Sequence, residues 1–196
     1  MKTRATCSRC KRPMRVCYCH TLKQLDNHWP VHILQHPGES QHGIGTAGIA
    51  FLSLMNSQLQ VGESFTSDSI TVDLKNAVLI YPGEDANSLD ILRSDLPQTL
   101  IFMDASWRKS YRMLMESPDL QALPKVGLKP ESVSRYRIRK SRYNASLSTV
   151  EAIAYTLGFL ERNKEKYLPL LNCMDWMIEK QISLMGEEVF RRNYCE

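Results

Sequence analysis

The chain has 196 residues, 43% of them hydrophobic and 23% charged, and a formal net charge of +4. That size can bury one substantial core with a small appendage, and the composition excludes fibrous, collagen-like and disordered classes. The N-terminus lacks an apolar signal segment, and the longest apolar runs, 77–81 and 100–103, are far too short to span a bilayer, so a cytoplasmic protein with no membrane contact is expected.

The first 25 residues carry seven basic side chains (Lys2, Arg4, Arg9, Lys11, Arg12, Arg15, Lys23) and no acid, leaving 18 basic and 21 acidic residues for the remainder. A basic head on a mildly acidic body points to a polyanion docking at one end. The same head, 1–25, contains Cys7-x2-Cys10-x6-Cys17-x-Cys19. In a reducing compartment such thiols are ligands rather than disulfides, and Cys7, Cys10, Cys17 and Cys19 can fill a tetrahedral structural zinc site with no position left for water. The tight Cys17-x-Cys19 spacing keeps His20 open as a substitute ligand, and an iron–sulfur cluster is the other metal reading. Cys173 lies in an apolar helical pattern and reads as a buried free thiol, Cys195 as a bystander.

The body, 26–196, begins with a strand pattern over 29–36, followed by a helix over 43–55 and a short strand over 58–65. Apolar strands over 77–81 and 98–104 end in loops, at Tyr81-Pro82-Gly83 and Asp104-Ala105-Ser106-Trp107. Trp107, Tyr111 and Leu114 then define the apolar face of a helix, with Arg108, Lys109 and Arg112 opposite. A strand over 124–128 follows. Ser148-x-x-Glu151 is a capping box opening a helix whose stripe is Val150, Ile153, Ala154, Leu157 and Leu160. A last helical region over 167–191 places Leu171, Met174, Ile178, Ile182 and Met185 on one face. Alternating strands and helices predict an α/β fold, a mostly parallel sheet covered on both faces, with ligands bound beyond the carboxyl ends of its strands.

Several motifs compete for chemistry. Gly43-Ile44-Gly45-Thr46-Ala47-Gly48 matches G-x-G-x-x-G, with Glu63 about 20 residues on, but His36-Pro37-Gly38-Glu39 and further residues separate it from the preceding strand, where a dinucleotide site needs its first glycine directly after the strand. No Walker motif is present. Asp104, at the carboxyl edge of an apolar strand beside Trp107, is partly withdrawn from water and suited to proton abstraction, or else caps the following helix. Ser148 and Thr149 offer helix N-terminal amides to a carboxylate or phosphate, although capping alone explains them. His32 and His36 share a strand face without a third ligand and read as structural. In the run 135–142, arginines interleave with Tyr136 and Tyr143, which fits RNA, since rings stack on unpaired bases while guanidiniums take phosphates; a solvated charged edge is the alternative.

The cysteine head, His36-Pro37-x-Glu39 followed by Thr46, Asp104-Ala105-Ser106-Trp107, Tyr136-Arg137-x-Arg139 and Leu147-Ser148-Thr149-Val150-Glu151-Ala152 together resemble the DTW-domain family over nearly the whole chain. Ser106 stands where that family has threonine, keeping the hydroxyl but losing the methyl that stiffens the rotamer. The resemblance implies a SPOUT-like fold, related to trefoil-knotted α/β enzymes, and transfer of the 3-amino-3-carboxypropyl group of S-adenosylmethionine to N3 of a uridine in tRNA. It assigns Asp104, Ser106 and Trp107 to catalysis. It surrounds the donor with Tyr81, Pro82, Gly83, Asp104, Ser106, Trp107, Ser148 and Thr149, and turns Arg12, Arg15, Arg108, Arg135, Arg137 and Arg139 toward the tRNA. A SPOUT-type RNA methyltransferase and a zinc-containing RNA-binding module without catalysis are the alternatives.

Overall fold

The computed structural model describes residues 5–40, 43–83, 85–92, 97–128, 134–138 and 147–194. Arg139, Arg142 and Tyr143 of the basic run, Lys2 and Arg4 of the head, and Cys195 lie outside the described residues. Among the described residues, strands β1 (Val31–Gln35), β2 (Ser57–Val61), β3 (Ala77–Ile80), β4 (Asn87–Ser88), β5 (Thr99–Asp104) and β6 (Lys125–Gly127) form one sheet in the order β2-β1-β5-β3-β6-β4. Every pairing is parallel, so all strands end at the same edge, and Gln35 and Asp104 stand opposite each other there.

Side chains alternate across this sheet. Val31, Ile33, Val78, Ile80, Leu100 and Phe102 point to one face, where they meet helices α2 (Ala47–Ser53), α5 (Thr149–Leu160) and α6 (Leu168–Met185). Leu34, Ala77, Leu79 and Ile101 point to the other, against Phe65, Ile70 and helices α3 (Trp107–Met115) and α4 (Pro118–Gln121). Burial on both faces makes the central strands continuous apolar runs, and each fully buried Leu or Ile contributes about 1.5–3 kcal/mol. The head packs on the first face: Tyr18 is buried in the core there, and Cys10 and Leu22 rest against it. Among the described residues no helix is long and apolar enough to cross a membrane.

The expected elements are present with three corrections. The helix expected from Gly43 begins at Ala47 instead. The loop before it is tied down by Arg12, which donates to the Gly45 carbonyl at 2.6 Å, and by the Tyr136 hydroxyl, which donates to the Ile44 carbonyl at 2.7 Å. The face expected from Trp107, Tyr111 and Leu114 is wrong for its two rings: α3 buries Ser110, Met113 and Leu114, because Met113 draws the buried arc round the helix and leaves Trp107 and Tyr111 on its flank. The region over 167–191 is two helices, α6 and α7 (Glu187–Tyr194), separated by Gly186 at φ 85°, a conformation glycine adopts without strain. The glycine motif also has a packing explanation, since a Cβ on Gly48 would come within 2.9 Å of the Tyr18 hydroxyl.

His32 is fully buried on β1, and burial pushes its pKa below 6.5, with Gln60 offsetting part of the shift. The unfolded chain therefore binds more protons here as pH falls below 6.5, and stability is lost in that direction. Replacing His32 with Leu should flatten the fall in Tm on acidification from pH 6.5 relative to the parent chain, as read by thermal melts across that range.

Candidate active site and metal centre

The head folds around its thiols. A turn closes as the Lys11 amide donates to the Cys7 carbonyl at 3.0 Å and the Cys7 amide to the Arg12 carbonyl at 2.8 Å, with Lys11 at φ 58°. The Sγ atoms of Cys7, Cys10, Cys17 and Cys19 all lie within 4.8 Å of one another, with Cys7–Cys19 and Cys10–Cys17 each at 3.7 Å. A zinc–sulfur distance of about 2.3 Å gives a tetrahedron with edges of about 3.8 Å, so these four thiols fit that ion. Backbone donors at Cys10 and Arg9 hold the Cys7 thiol down at about 6, whereas burial and the neighbouring thiols push Cys19 up. A divalent cation would hold the whole set as thiolates. His20 is not part of the cluster; its ring sits edge-on to Trp176, centroids 4.6 Å apart. Cys173 is buried, and the Thr21 hydroxyl donates to its sulfur at 3.1 Å.

Asp104 ends β5 as a buried carboxylate on the face covered by α5. The amide of Gln35 donates to its Oδ2 at 2.8 Å and the hydroxyl of Thr149 to its Oδ1 at 2.5 Å. The cap of α3 is Ser106, not Asp104. Gln35 escapes a sequence reading that looks for titratable groups, although a lone amide ending the apolar run Val31–Gln35 is itself the signal. Tyr81 and Trp107 meet edge-to-face at 6.2 Å on the same sheet edge, where Pro82, Gly83 and Ser106 are exposed.

Ser148 departs from the expected exposed amide. It is 4% exposed, and its backbone N–H donates to Glu151 Oε2 at 2.8 Å within the capping box. Glu151 is fully buried and also accepts from the hydroxyls of Ser148 and Ser134, at 2.7 and 2.8 Å, and from the Arg135 amide at 2.7 Å. Two residues further on, the Val150 amide donates to the Thr46 hydroxyl at 3.4 Å.

The expected RNA contacts divide by environment. Arg12 stacks over the Tyr18 ring at 5.5 Å and Arg135 pairs with Asp175 of α6, part-buried contacts that brace the fold, while Arg137 meets Glu179 of α6 in an exposed pair. Arg15 and Arg108 are exposed. Glu63 lies 3.6 Å from His36.

A cavity of about 440 Å³ opens beside this edge, bounded by Leu89, Leu128, Leu147, Tyr155, Phe159 and Leu171. Its size and apolar lining suit a small organic ligand. Leu147 connects it to Thr149 and so to Asp104.

Residues 4–182 match the DTW domain, and the chain belongs to that family. It is 34% identical over 174 residues to tRNA-uridine aminocarboxypropyltransferase 2 of Macaca fascicularis, with 83% of this chain and 58% of that protein aligned. The protein of the same name from Drosophila melanogaster is 30% identical over 194 residues, 91% of this chain and 76% of that protein. tRNA-uridine aminocarboxypropyltransferase A of Arabidopsis thaliana is 26% identical over 198 residues, 83% of this chain and 75% of that protein. The chain thus spans about 58% of the length of the macaque relative. No solved structure matches it.

The purified chain should hold one zinc ion, and Cys10→Ser should release it and loosen the head, as measured by metal analysis and proteolysis. Glu151→Gln strands several donors aimed at one carboxylate and should cost about 2–4 kcal/mol in denaturant unfolding.

Proposed function

We propose that this chain transfers the 3-amino-3-carboxypropyl group of S-adenosylmethionine to N3 of a uridine in tRNA. The observation that carries the reading is Asp104, buried at the strand edge and oriented on both oxygens by Gln35 and Thr149, in a chain whose relatives bear the name tRNA-uridine aminocarboxypropyltransferase. The fold supports it, since ligands of open parallel sheets bind beyond the strands' carboxyl ends.

In this reading the adenosine occupies the apolar cavity over β6 and β4, and the sulfonium lies at the sheet edge with the carbon of its aminocarboxypropyl arm turned toward Asp104 on β5. Tyr81, Ser106 and Trp107 border the opening through which uridine enters. Every carbon on the sulfonium is electrophilic, so the protein selects by orientation: the methyl is turned away and the carbon of the aminocarboxypropyl arm is set in line with the nucleophile. Uridine N3 forms the new bond to that carbon, the carbon–sulfur bond breaks with its electron pair on sulfur, and the N3 proton passes to Asp104. Methylthioadenosine leaves. Thr149 and Gln35 hold the Asp104 carboxylate in place, Arg15 and Arg108 are exposed cations available to phosphate, and zinc shapes the head without entering the chemistry. A cytoplasmic location suits both the substrate and the reduced thiols.

Incubation with S-adenosylmethionine and unmodified tRNA should yield a nucleoside heavier by one aminocarboxypropyl group, together with methylthioadenosine. Asp104→Asn should slow this by about 100-fold or more. Adenosylhomocysteine as by-product would establish methyl transfer instead, and tRNA binding with no product in any condition would leave a binding module.

A further inference from the structure

Helix α3 leaves a row of large side chains in solvent. Trp107, Tyr111 and Met115 are 42%, 60% and 43% exposed, and their i, i+4, i+8 spacing sets them along one side of the helix. Arg108 and Arg112 form a parallel row one position further round. Both are exposed. Arg112 bonds Glu116 at 2.7 Å in a solvent-exposed pair, of the kind a phosphate can displace, and α3 itself contains no acid. The ring row starts at the sheet edge, three residues beyond Asp104, where Tyr81 braces the Trp107 ring.

We propose that this side of α3 is a stacking platform for unpaired nucleotides of the RNA, with bases on Trp107 and Tyr111 and phosphates along Arg108 and Arg112; the polymer's identity rests on the transfer reading above. Rings alternating with guanidiniums are what a single strand requires, the rings taking bases and the guanidiniums phosphates. The spacing selects the strand's state as well. Positions i and i+4 are about 6 Å apart along a helix axis, against about 3.4 Å between stacked bases, so the two rings receive bases of an extended strand rather than consecutive bases of a duplex.

The test uses a short single-stranded oligouridylate, with the same strand paired to oligoadenylate as the duplex control. Trp29 is 4% exposed but Trp176 is only partly buried, so tryptophan fluorescence is followed in a Trp176→Phe background, where its quenching reports on Trp107. The single strand should quench and the duplex should compete poorly. Tyr111→Leu should weaken binding about tenfold with an unchanged salt slope, Tyr111→Phe should bind like the parent, and Arg108→Gln should lower the log–log salt slope by about one. Equal affinity of Tyr111→Leu and the parent would overturn the platform, as would equal binding of duplex. A Tyr111→Leu variant that turns a dimer into a monomer in sedimentation without changing RNA affinity would assign the face to a second copy. Modification of tRNA, followed in parallel, separates the two proposals: product formed by Tyr111→Leu with an unchanged KM for tRNA sinks the platform alone, and no product from the parent despite Tyr111-dependent quenching sinks the transfer alone.

Discussion

A buried carboxylate holds the working end of this protein together. Glu151 has no exposure, and an ionised acid so placed would cost several kcal/mol if its oxygens went unanswered. They are answered by the amide and hydroxyl of Ser148, the hydroxyl of Ser134 and the amide of Arg135. One side chain thereby caps α5 and fastens the 134–138 segment to its first turn. Tyr136 and Arg135 extend the fastening to the loop before α2 and to α6.

That anchoring decides where Thr149 points. With the first turn of α5 fixed over the sheet, its hydroxyl reaches Asp104 on β5, and Gln35 on β1 meets the same carboxylate from the neighbouring strand. Three elements distant in sequence thus converge on one acid. The precision follows from parallel pairing, which brings all strand ends to a common edge and leaves that edge to be roofed by a helix N-terminus. The head joins this arrangement through Tyr18 against Gly48 and Arg12 against Gly45, so the four-cysteine segment supports the loop leading into α2 as well as its own short turn.

Much of this was legible in the residues. The thiol spacing named its own geometry, because ligands that close in sequence can converge with little help from the rest of the chain. The apolar runs of β3 and β5 and the capping box of α5 were equally local signals. The face of α3 was not, because periodicity ranks Trp107, Tyr111 and Leu114 together, while the choice of buried arc depends on which side the opposite layer covers. The partners of the cations in the 135–138 segment were hidden for a related reason: Asp175 and Glu179 lie about 40 residues away, and no local pattern shows that they pair with Arg135 and Arg137.

By itself the sequence determined the layered α/β architecture, the four-cysteine head, the strand-end acid and the family, since each rests on short-range spacing or on hydrophobic period. Only the tertiary structure decided that Gln35 and Thr149 orient Asp104, that Ser148 spends its amide on Glu151, and that the aromatic row of α3 faces water. These depend on register and on packing between distant segments, which are set by the collective burial of both sheet faces and not by any one stretch of chain.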